Sequence, residues 1–355
     1  MRKQLAFAAF IVATCFFNLF SAQAQSSVLD LPRDSQHAKV IQRIGITDIT
    51  INYHRPLVKG RKVWGGLVPY GEVWRAGANE NTTIEFSDPV SIEGKPLARG
   101  IYGLHMIPNE NEWTIIFSKT ATAWGSFTYN QAEDALRVTV KPQPAEMHEA
   151  LAYDVDDVTP NSGVVTLRWE KLAVPFKVDV NTNDIVVQNL HGQLRGLAQY
   201  TWEGWDDAAN YFLANKYNLE EALKYEDHSI GVEERYDNLM TKSRILDALN
   251  RKDEAVTARN KALGMANVVQ LHTYGRQLQQ QGKQDQALEV FRTNIKKNPD
   301  HWLAHNEAAR IAAAKGDYDG AVKEMKVALN GAPDQNKSAV QGLIKQLEAK
   351  QDINK

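Results

Sequence analysis

Between about residues 38 and 180, apolar and polar residues alternate with a period of two. Ile49, Ile51 and Tyr53, for example, alternate with Thr50 and Asn52, and five further runs begin near residues 83, 113, 136, 165 and 174. Successive side chains of a strand point to opposite faces, so each run predicts a strand with one buried and one wet face. Turn-forming residues separate the runs. The pattern therefore predicts an antiparallel β-sandwich or a partly closed barrel.

The pattern changes after residue 183, where Ala, Leu, Gln, Glu and Lys dominate and the apolar residues follow helical spacing. Four alanines recur at steps of 33, 32 and 34 residues, namely Ala222, Ala255, Ala287 and Ala321. Gly282 and Gly316 precede the last two by five residues, whereas Tyr217 and Asn250 hold the glycine position of the first two units. Small residues at helix crossings and a period near 34 residues resemble the tetratricopeptide repeat. A non-repetitive helical bundle is the alternative.

These patterns predict the division of the chain. Residues 25–182 form the β-sandwich domain, and residues 183–350 form a tetratricopeptide-like solenoid. The helical stripe of residues 337–350 is expected to be a capping helix, because its apolar residues share one face. Residues 351–355 are then a short tail.

The N-terminal segment is typical of a secretory signal peptide. A basic start is followed by an apolar run from Leu5 to Phe20 and by small residues up to Ala24. We expect cleavage after Ala24 and a periplasmic or secreted protein with no transmembrane segment afterwards. Cys15 lies inside the apolar run, and lipidation there is the minor alternative because Thr14 precedes it.

Charge and cysteine content exclude several classes of function. Removing Arg2 and Lys3 with the signal changes the formal net charge from −2 to −4, which argues against nucleic acid as a partner. The expected mature chain has no cysteine, so it has no disulfide, thiolate metal site or cysteine nucleophile. We predict no cofactor and no metal site.

The β-half resembles a known family. The stretches YHRPLVKGRKVWGGLVPYGEVWRAGANENTTIEFS and GIYGLHMIPNENEWTIIFSK, followed by AWGSF, are similar to the bacterial domain of unknown function 2911. The resemblance covers about residues 41 to 180. It implies an exported β-rich domain and no assigned activity.

One loop of this half concentrates basic, aromatic and amide residues. Its candidate ligand-binding residues are Arg55, Lys59, Arg61, Tyr70, Arg75, Asn79 and Glu80. Arginine beside aromatic rings can bind an anion or a glycan. In the alternative interpretation, Arg75 pairs with Glu80 and the asparagines tie the loop backbone.

No enzyme signature is evident in the sequence. A G-x-S-x-G motif is absent, and the histidines have no metal-like spacing. His105 alternates with Tyr102, Leu104 and Met106, so we expect it on the opposite sheet face. We name no catalytic residue, and the sequence favours a non-enzymatic protein without deciding the question.

The repeats offer a second candidate site. When the repeat units are aligned on these alanines, the ninth position of the first helix is Arg244, Arg276 and Arg310 in successive units. The fifth position is Met240, His272 and Asn306. The resemblance to tetratricopeptide repeats implies that such positions line a groove for a peptide. We predict a peptide groove formed by Arg244, His272, Arg276, Asn306 and Arg310. The alternative is that these arginines pair with neighbouring acids.

Together these features predict an exported cell-envelope binding or scaffold protein whose repeats bind an acidic or carboxylate-ended segment of a partner protein. The alternative is a glycan- or anion-binding β-domain, with hydrolase activity left open.

Overall fold

The computed structural model describes residues 32–354. The described chain divides after Thr182 into two compact units. The predicted signal peptide, residues 1–24, lies outside the described residues.

Ten strands, all paired antiparallel, make up the described part of the first unit. They are β1 (Gln36–Ile44), β2 (Thr47–Arg55), β3 (Thr83–Phe86), β4 (Val90–Ile92), β5 (Lys95–Leu97), β6 (Gly100–Ile107), β7 (Trp113–Ser118), β8 (Asp134–Val140), β9 (Gln143–Asp156) and β10 (Ser162–Asp179). One sheet has the order β1-β2-β3-β6-β7-β8, and the other has the order β5-β4-β10-β9. The predicted antiparallel β-rich fold is confirmed, and the sheets do not close into a barrel.

Aromatic side chains fill the space between the two sheets. Phe117 of β7 contacts Phe176 of β10, with ring centroids 5.8 Å apart, and Tyr53 of β2 contacts Tyr153 of β9 at 4.8 Å. Trp113 and Trp169 are both buried and both pack edge-on against Trp64. Edge-to-face rings of this kind add specific geometry to the burial of apolar area.

The outer face of the six-stranded sheet carries a polar row. His37 of β1 is paired with His54 of β2, and Ile116 of β7 lies between His105 of β6 and Arg137 of β8. Residues paired across a sheet share a face. Both faces of β6 are buried, because the segment of residues 119–133 covers part of this outer face.

The second unit is helical. Its helices are α1 (Thr182–Gln193), α2 (Trp202–Asn215), α3 (Leu219–Val232), α4 (Tyr236–Ala248), α5 (Lys252–Met265), α6 (Val268–Gln280), α7 (Gln284–Lys297), α8 (Trp302–Ala314), α9 (Tyr318–Gly331) and α10 (Asp334–Glu348). The four repeat alanines occupy the fourth position of α3, α5, α7 and α9, and each is 0% exposed. The predicted helical repeats are therefore confirmed.

The turns within the helical pairs show why glycine is not required in every unit. Gly282 and Gly316 have φ values of +73° and +80°, and Asn250 adopts the same left-handed region at +61°. Asparagine tolerates this region better than most residues because its short side chain bonds locally. The α2–α3 turn uses two such residues, Lys216 and Asn218.

Helix α10 overlaps the segment that the sequence predicts to be a capping helix. Val340, Ile344 and Leu347 are buried against α9, as the sequence stripe indicates. Within residues 32–354, no helix combines the length and apolar character needed to cross a bilayer.

Candidate functional sites

Arg75 lies on a loop that is fixed at both sides. The backbone of Trp74 exchanges two hydrogen bonds of 2.8 Å with Met106 of β6. Ala76 is fully buried with φ +51°, and its carbonyl accepts hydrogen bonds from the Tyr153 hydroxyl at 2.9 Å and the Thr82 hydroxyl at 3.2 Å. The position of Arg75 is therefore set by the core rather than by the guanidinium itself.

The two asparagines of the loop tie it to neighbouring segments. Asn79 has φ +57°, and its amide donates to the Ser35 carbonyl at 3.0 Å. Asn81 is buried, and its amide donates to the Ala121 carbonyl at 3.4 Å. Side-chain bonds of this kind satisfy loop backbone groups that would otherwise be unpaired.

Glu80 pairs with a residue that the sequence interpretation did not include. Its Oε1 accepts from Arg33 Nη1 at 2.6 Å, and its Oε2 lies 3.3 Å from His54 Nε2. Burial would raise the pKa of Glu80, but hydrogen bonds from its own backbone and from Arg33 outweigh burial and lower it. The Arg75–Glu80 ion pair of the alternative interpretation is not formed; the two Glu80 oxygens contact Arg33 and His54 instead.

Arg75 is left without a hydrogen-bond partner among the described residues. Its side chain is half-buried, its Nε is inaccessible to water, and it forms no ion pair within residues 32–354. Burial lowers the pKa of its guanidinium, and the more distant charge of Glu80 opposes that shift. A guanidinium with free donors can bind a carboxylate or phosphate in a bidentate manner.

The covering segment approaches Arg75 through a glycine. Gly125 has φ +66°, and a Cβ added there would lie 3.1 Å from Arg75 Nη1. The adjacent Trp124 is half-exposed and lies 5.9 Å below the Arg33 guanidinium, and Phe127 is 85% exposed. The exposed Phe127 ring therefore lies beside Arg75, whereas the described contact of Trp124 is with Arg33.

His105 lies under the same segment. It is 2% exposed, and its Nδ1 is 2.9 Å from the Ser126 hydroxyl. Burial lowers its pKa to about 4, so it is neutral at pH 7. Its expected position on the opposite face from Leu104 is correct, but the sequence does not reveal that residues 119–133 bury it.

The other predicted loop residues have contacts elsewhere. Arg55 donates to the Leu151 carbonyl, Arg61 donates to the carbonyls of Leu57 and Val58, and Lys59 pairs with Asp34. Tyr70 is 39% exposed and packs over Gly65. Arg55 and Arg61 thus bind backbone carbonyls, Lys59 forms an ion pair, Tyr70 covers a glycine, and none of the four has a described contact with Arg75.

The repeat residues fall into two groups. Arg276 and Arg310 lie close enough to repel each other, and Asn306 Oδ1 accepts from Arg310 Nε at 2.9 Å. Arg244 lies apart from them, is exposed and donates to Asn210 and Thr241 between α2 and α4. None of the three arginines forms an ion pair within the described residues.

Asn306 and Arg310 are each only 4% exposed. Neither lines the open groove that the sequence predicts. Residues 353 and 354 cover Arg310, and the Asn306 side chain contacts Arg310 and Met325. Burial lowers the pKa of Arg310 to about 9. His272 has a structural partner: its Nδ1 is 3.1 Å from the fully buried Glu307, whose same oxygen accepts from Asn294 at 2.8 Å.

A buried carboxyl pair lies in the first units. Glu226 of α3 is 0% exposed and lies close enough to Asp206 of α2 for their charges to repel, and neither Glu226 carboxyl oxygen has a hydrogen-bond partner among the described residues. Burial, and then the charge of Asp206, raises the pKa of Glu226 to about 9, so Glu226 carries the proton at pH 7. The sequence contains the signal: Glu226 is four residues after the crossing alanine Ala222 and thus on the same buried stripe.

Comparison with known proteins finds a family model for the β-half and a repeat model for part of the helical half. Residues 35–178 match the model of a family described as a protein of unknown function, DUF2911. Residues 278–347 match a tetratricopeptide repeat model. Both resemblances drawn from the sequence are confirmed, and the helical half consists of repeats of a type that binds other proteins. None of the curated proteins matches the chain.

Two solved structures are similar at low identity. One is the APC/C hetero-tetramer Cut9–Hcn1, at 16% identity over 46% of this chain and 32% of that chain, with a TM-score of 0.31. The other is YrrB, titled a TPR protein with an unusual peptide-binding site, at 16% identity over 46% of this chain and 86% of that chain, with a TM-score of 0.28. This chain spans about a third of the length of the first structure's matching chain.

Proposed function

We propose that this protein is an exported binding or scaffold protein of the cell envelope, whose repeats bind an acidic segment of a partner protein. One observation carries the proposal. Arg244, Arg276 and Arg310 share one position of successive first helices, and no described carboxylate forms an ion pair with them. By contrast, Arg251 and Arg259, at α5, are paired with Glu254 and Asp247. A partner carboxylate would supply the missing charge.

Affinity retention from cell-envelope extract at two salt concentrations tests this proposal. The probe is the double variant Arg244→Ala/Arg276→Ala, which spares the buried Arg310. Its matched control is Arg251→Ala/Arg259→Ala, which removes the same charge at α5, the second helix of its pair. We expect a salt-sensitive partner that the control retains and the double variant loses. Equal retention by both variants would overturn the proposed groove.

Export is part of the same proposal and rests on the sequence of residues 1–24. N-terminal sequencing of protein recovered from the periplasm or culture medium tests it. We expect the mature chain to begin at Gln25. Recovery of the chain from the cytoplasm with Met1 intact would contradict export.

A second candidate function is anion or glycan binding by the β-half, with Arg75 as the anchoring residue. The specific observation is a half-buried guanidinium without a described hydrogen bond beside the exposed Phe127. Thermal unfolding with panels of carboxylates, phosphates and acidic oligosaccharides tests it. A ligand should stabilise the protein and the exposed control Arg99→Ala, but not Arg75→Ala. The same panel, assayed for turnover, addresses the hydrolase alternative.

A further inference from the structure

The chain reverses direction directly after α10. Lys350 adopts a left-handed conformation with φ +55°, and the amide of Gln351 donates to the Gln346 carbonyl at 2.9 Å. The amide of Lys350 donates to the Leu347 carbonyl at 2.9 Å. This pair of bonds is the Schellman motif, which ends a helix and turns the chain back. It directs residues 352–354 onto the repeats.

These residues are held as a bound peptide would be held. Ile353 is 4% exposed and packs in the apolar cluster that contains Ala309 and Leu347. Its carbonyl accepts a hydrogen bond from Arg310 Nη1 at 2.5 Å. The buried Arg310 guanidinium therefore binds the main chain of the segment rather than a side chain.

The Asn354 side chain is hydrogen-bonded through both its amide oxygen and its amide nitrogen. Asn354 Oδ1 accepts from Gln279 Nε2 at 2.6 Å, and Asn354 Nδ2 donates to the Arg310 carbonyl at 3.0 Å. Gln279 is itself bonded by Arg276. An aspartate at this position would lose the donor and place a charge against a carbonyl, and an aliphatic residue would lose both bonds.

Asp352 completes the segment. Its Oδ1 accepts from the backbone amide of Asn354 at 3.0 Å and from the Asn354 side chain at 2.8 Å, which shapes the turn. Its charge also attracts Arg310. The site thus favours an acidic residue, a buried aliphatic residue and an asparagine in sequence.

We propose that residues 352–354 occupy, within the same chain, a binding site for an acidic–aliphatic–asparagine segment, and that a partner segment of the same chemistry displaces them. The inference rests on the proposed function, because it names the segment that the repeats bind. It also explains why Arg310 is covered while Arg244 is exposed.

Binding of a synthetic peptide with the sequence of residues 350–355 tests the proposal. Saturation-transfer NMR would compare the mature chain, Asn354→Ala and the matched control Asn330→Ala, which changes an exposed asparagine. We expect at least about tenfold tighter binding to Asn354→Ala than to the other two proteins, because its own segment competes less well. Adding Gln279→Ala to Asn354→Ala should remove this gain. A peptide with aspartate in place of the asparagine should bind at least about tenfold more weakly.

A second measurement uses the full chain without a peptide. In the Ile353→Cys variant, the thiol should react with a soluble disulfide reagent at least about tenfold more slowly than the thiol of Val327→Cys, which is exposed. The peptide should accelerate the Ile353→Cys reaction by displacing the segment and leave the control unchanged.

Equal peptide affinity for the mature chain and Asn354→Ala would overturn the inference. So would the absence of binding to an Asn354→Ala variant whose thermal unfolding is unchanged. Peptide binding without an envelope partner that depends on Arg244 and Arg276 would refute the proposed function and leave the site intact. An envelope partner that depends on Arg244 and Arg276 but is not displaced by the peptide would support the proposed function and refute the site.

Discussion

Arg75 in the β-half and Arg310 in the repeats are both withdrawn from water, yet their surroundings differ. Arg310 donates to the Asn306 side chain and to the Ile353 carbonyl. Arg75 makes no hydrogen bond within residues 32–354, although its Nε is buried. Burial lowers the pKa of both side chains, to about 9 for Arg310.

The difference indicates which site is filled and which is open. A buried cation is costly unless its donors are satisfied, so a stable fold supplies partners from its own chain or leaves room for a ligand. In the repeats, residues 352–354 supply the partners. At Arg75, the loop is held by Trp74 and Ala76 instead, and the guanidinium makes no described hydrogen bond, which supports the anion site proposed there.

The largest expected effect is a difference in the free energy of unfolding between the variants of the two arginines. Arg310→Ala should lower the free energy of unfolding by about 2–3 kcal/mol, because it leaves the Ile353 carbonyl and the Asn306 amide oxygen without their buried donor. Arg75→Ala should cost less than about 1 kcal/mol, because no described hydrogen bond is lost. Urea unfolding of the two variants measures both values.

Circular dichroism of Arg75→Ala at low urea serves as the control for folding. If Arg75→Ala were the more destabilising change, Arg75 would be a structural residue and the β-half would lose its candidate ligand site.

The architecture of both halves could be predicted from the sequence, because it depends on periodicities that the chain displays directly. Period-two runs such as Ile49–Tyr53 became β2, and the spaced alanines became the helix crossings of four pairs. The partners within each site could not be predicted. Arg33 reaches Glu80 across 47 residues and Asn354 reaches Gln279 across 75, and no local pattern encodes either contact.

The next prediction contrasts how a buried group in each half makes stability depend on pH. The pKa of buried His105 is lowered from 6.5 to about 4, so its contribution to stability is present above about pH 6.5 and is lost as the pH falls toward 4. The pKa of buried Glu226 is raised from 4.5 to about 9, so its contribution is present below about pH 4.5 and is lost as the pH rises through 9.

Unfolding midpoints of His105→Gln and Glu226→Gln between about pH 5 and pH 9 measure these slopes. His105→Gln should flatten the loss of stability on the acid side, and Glu226→Gln should flatten it on the alkaline side. Because the readout is the slope with pH, a uniform destabilisation by either substitution does not interfere. Slopes unchanged from those of the unsubstituted protein would show that these groups titrate normally.

A smaller effect concerns the segment over Arg75. Gly125→Ala should cost about 1 kcal/mol, because the residue has φ +66° and alanine is strained there. Its Cβ would also crowd Arg75 Nη1 at 3.1 Å, so any ligand of Arg75 should bind more weakly to this variant. Gly94→Ala is the matched control, since Gly94 has φ +76° and open space around it. Loss of ligand binding in both variants would argue for backbone strain rather than for contact with Arg75.

The smallest effect is expected at the rim of the same site. Arg33 and Glu80 form an ion pair of 2.6 Å, with side chains 29% and 39% exposed. Solvent screens such a pair, so Arg33→Ala should cost only about 0.5 kcal/mol in unfolding. Arg33→Ala should also weaken the binding of an anion that is held by Arg75 and has no positive charge of its own, because the released Glu80 would attract Arg75 and compete with the ligand. Weaker binding by Arg33→Ala, with restored binding in Arg33→Ala/Glu80→Gln, would identify Glu80 as the internal competitor. Unchanged binding in both would confine Arg33 to a structural role and leave Arg75 as the sole contact tested.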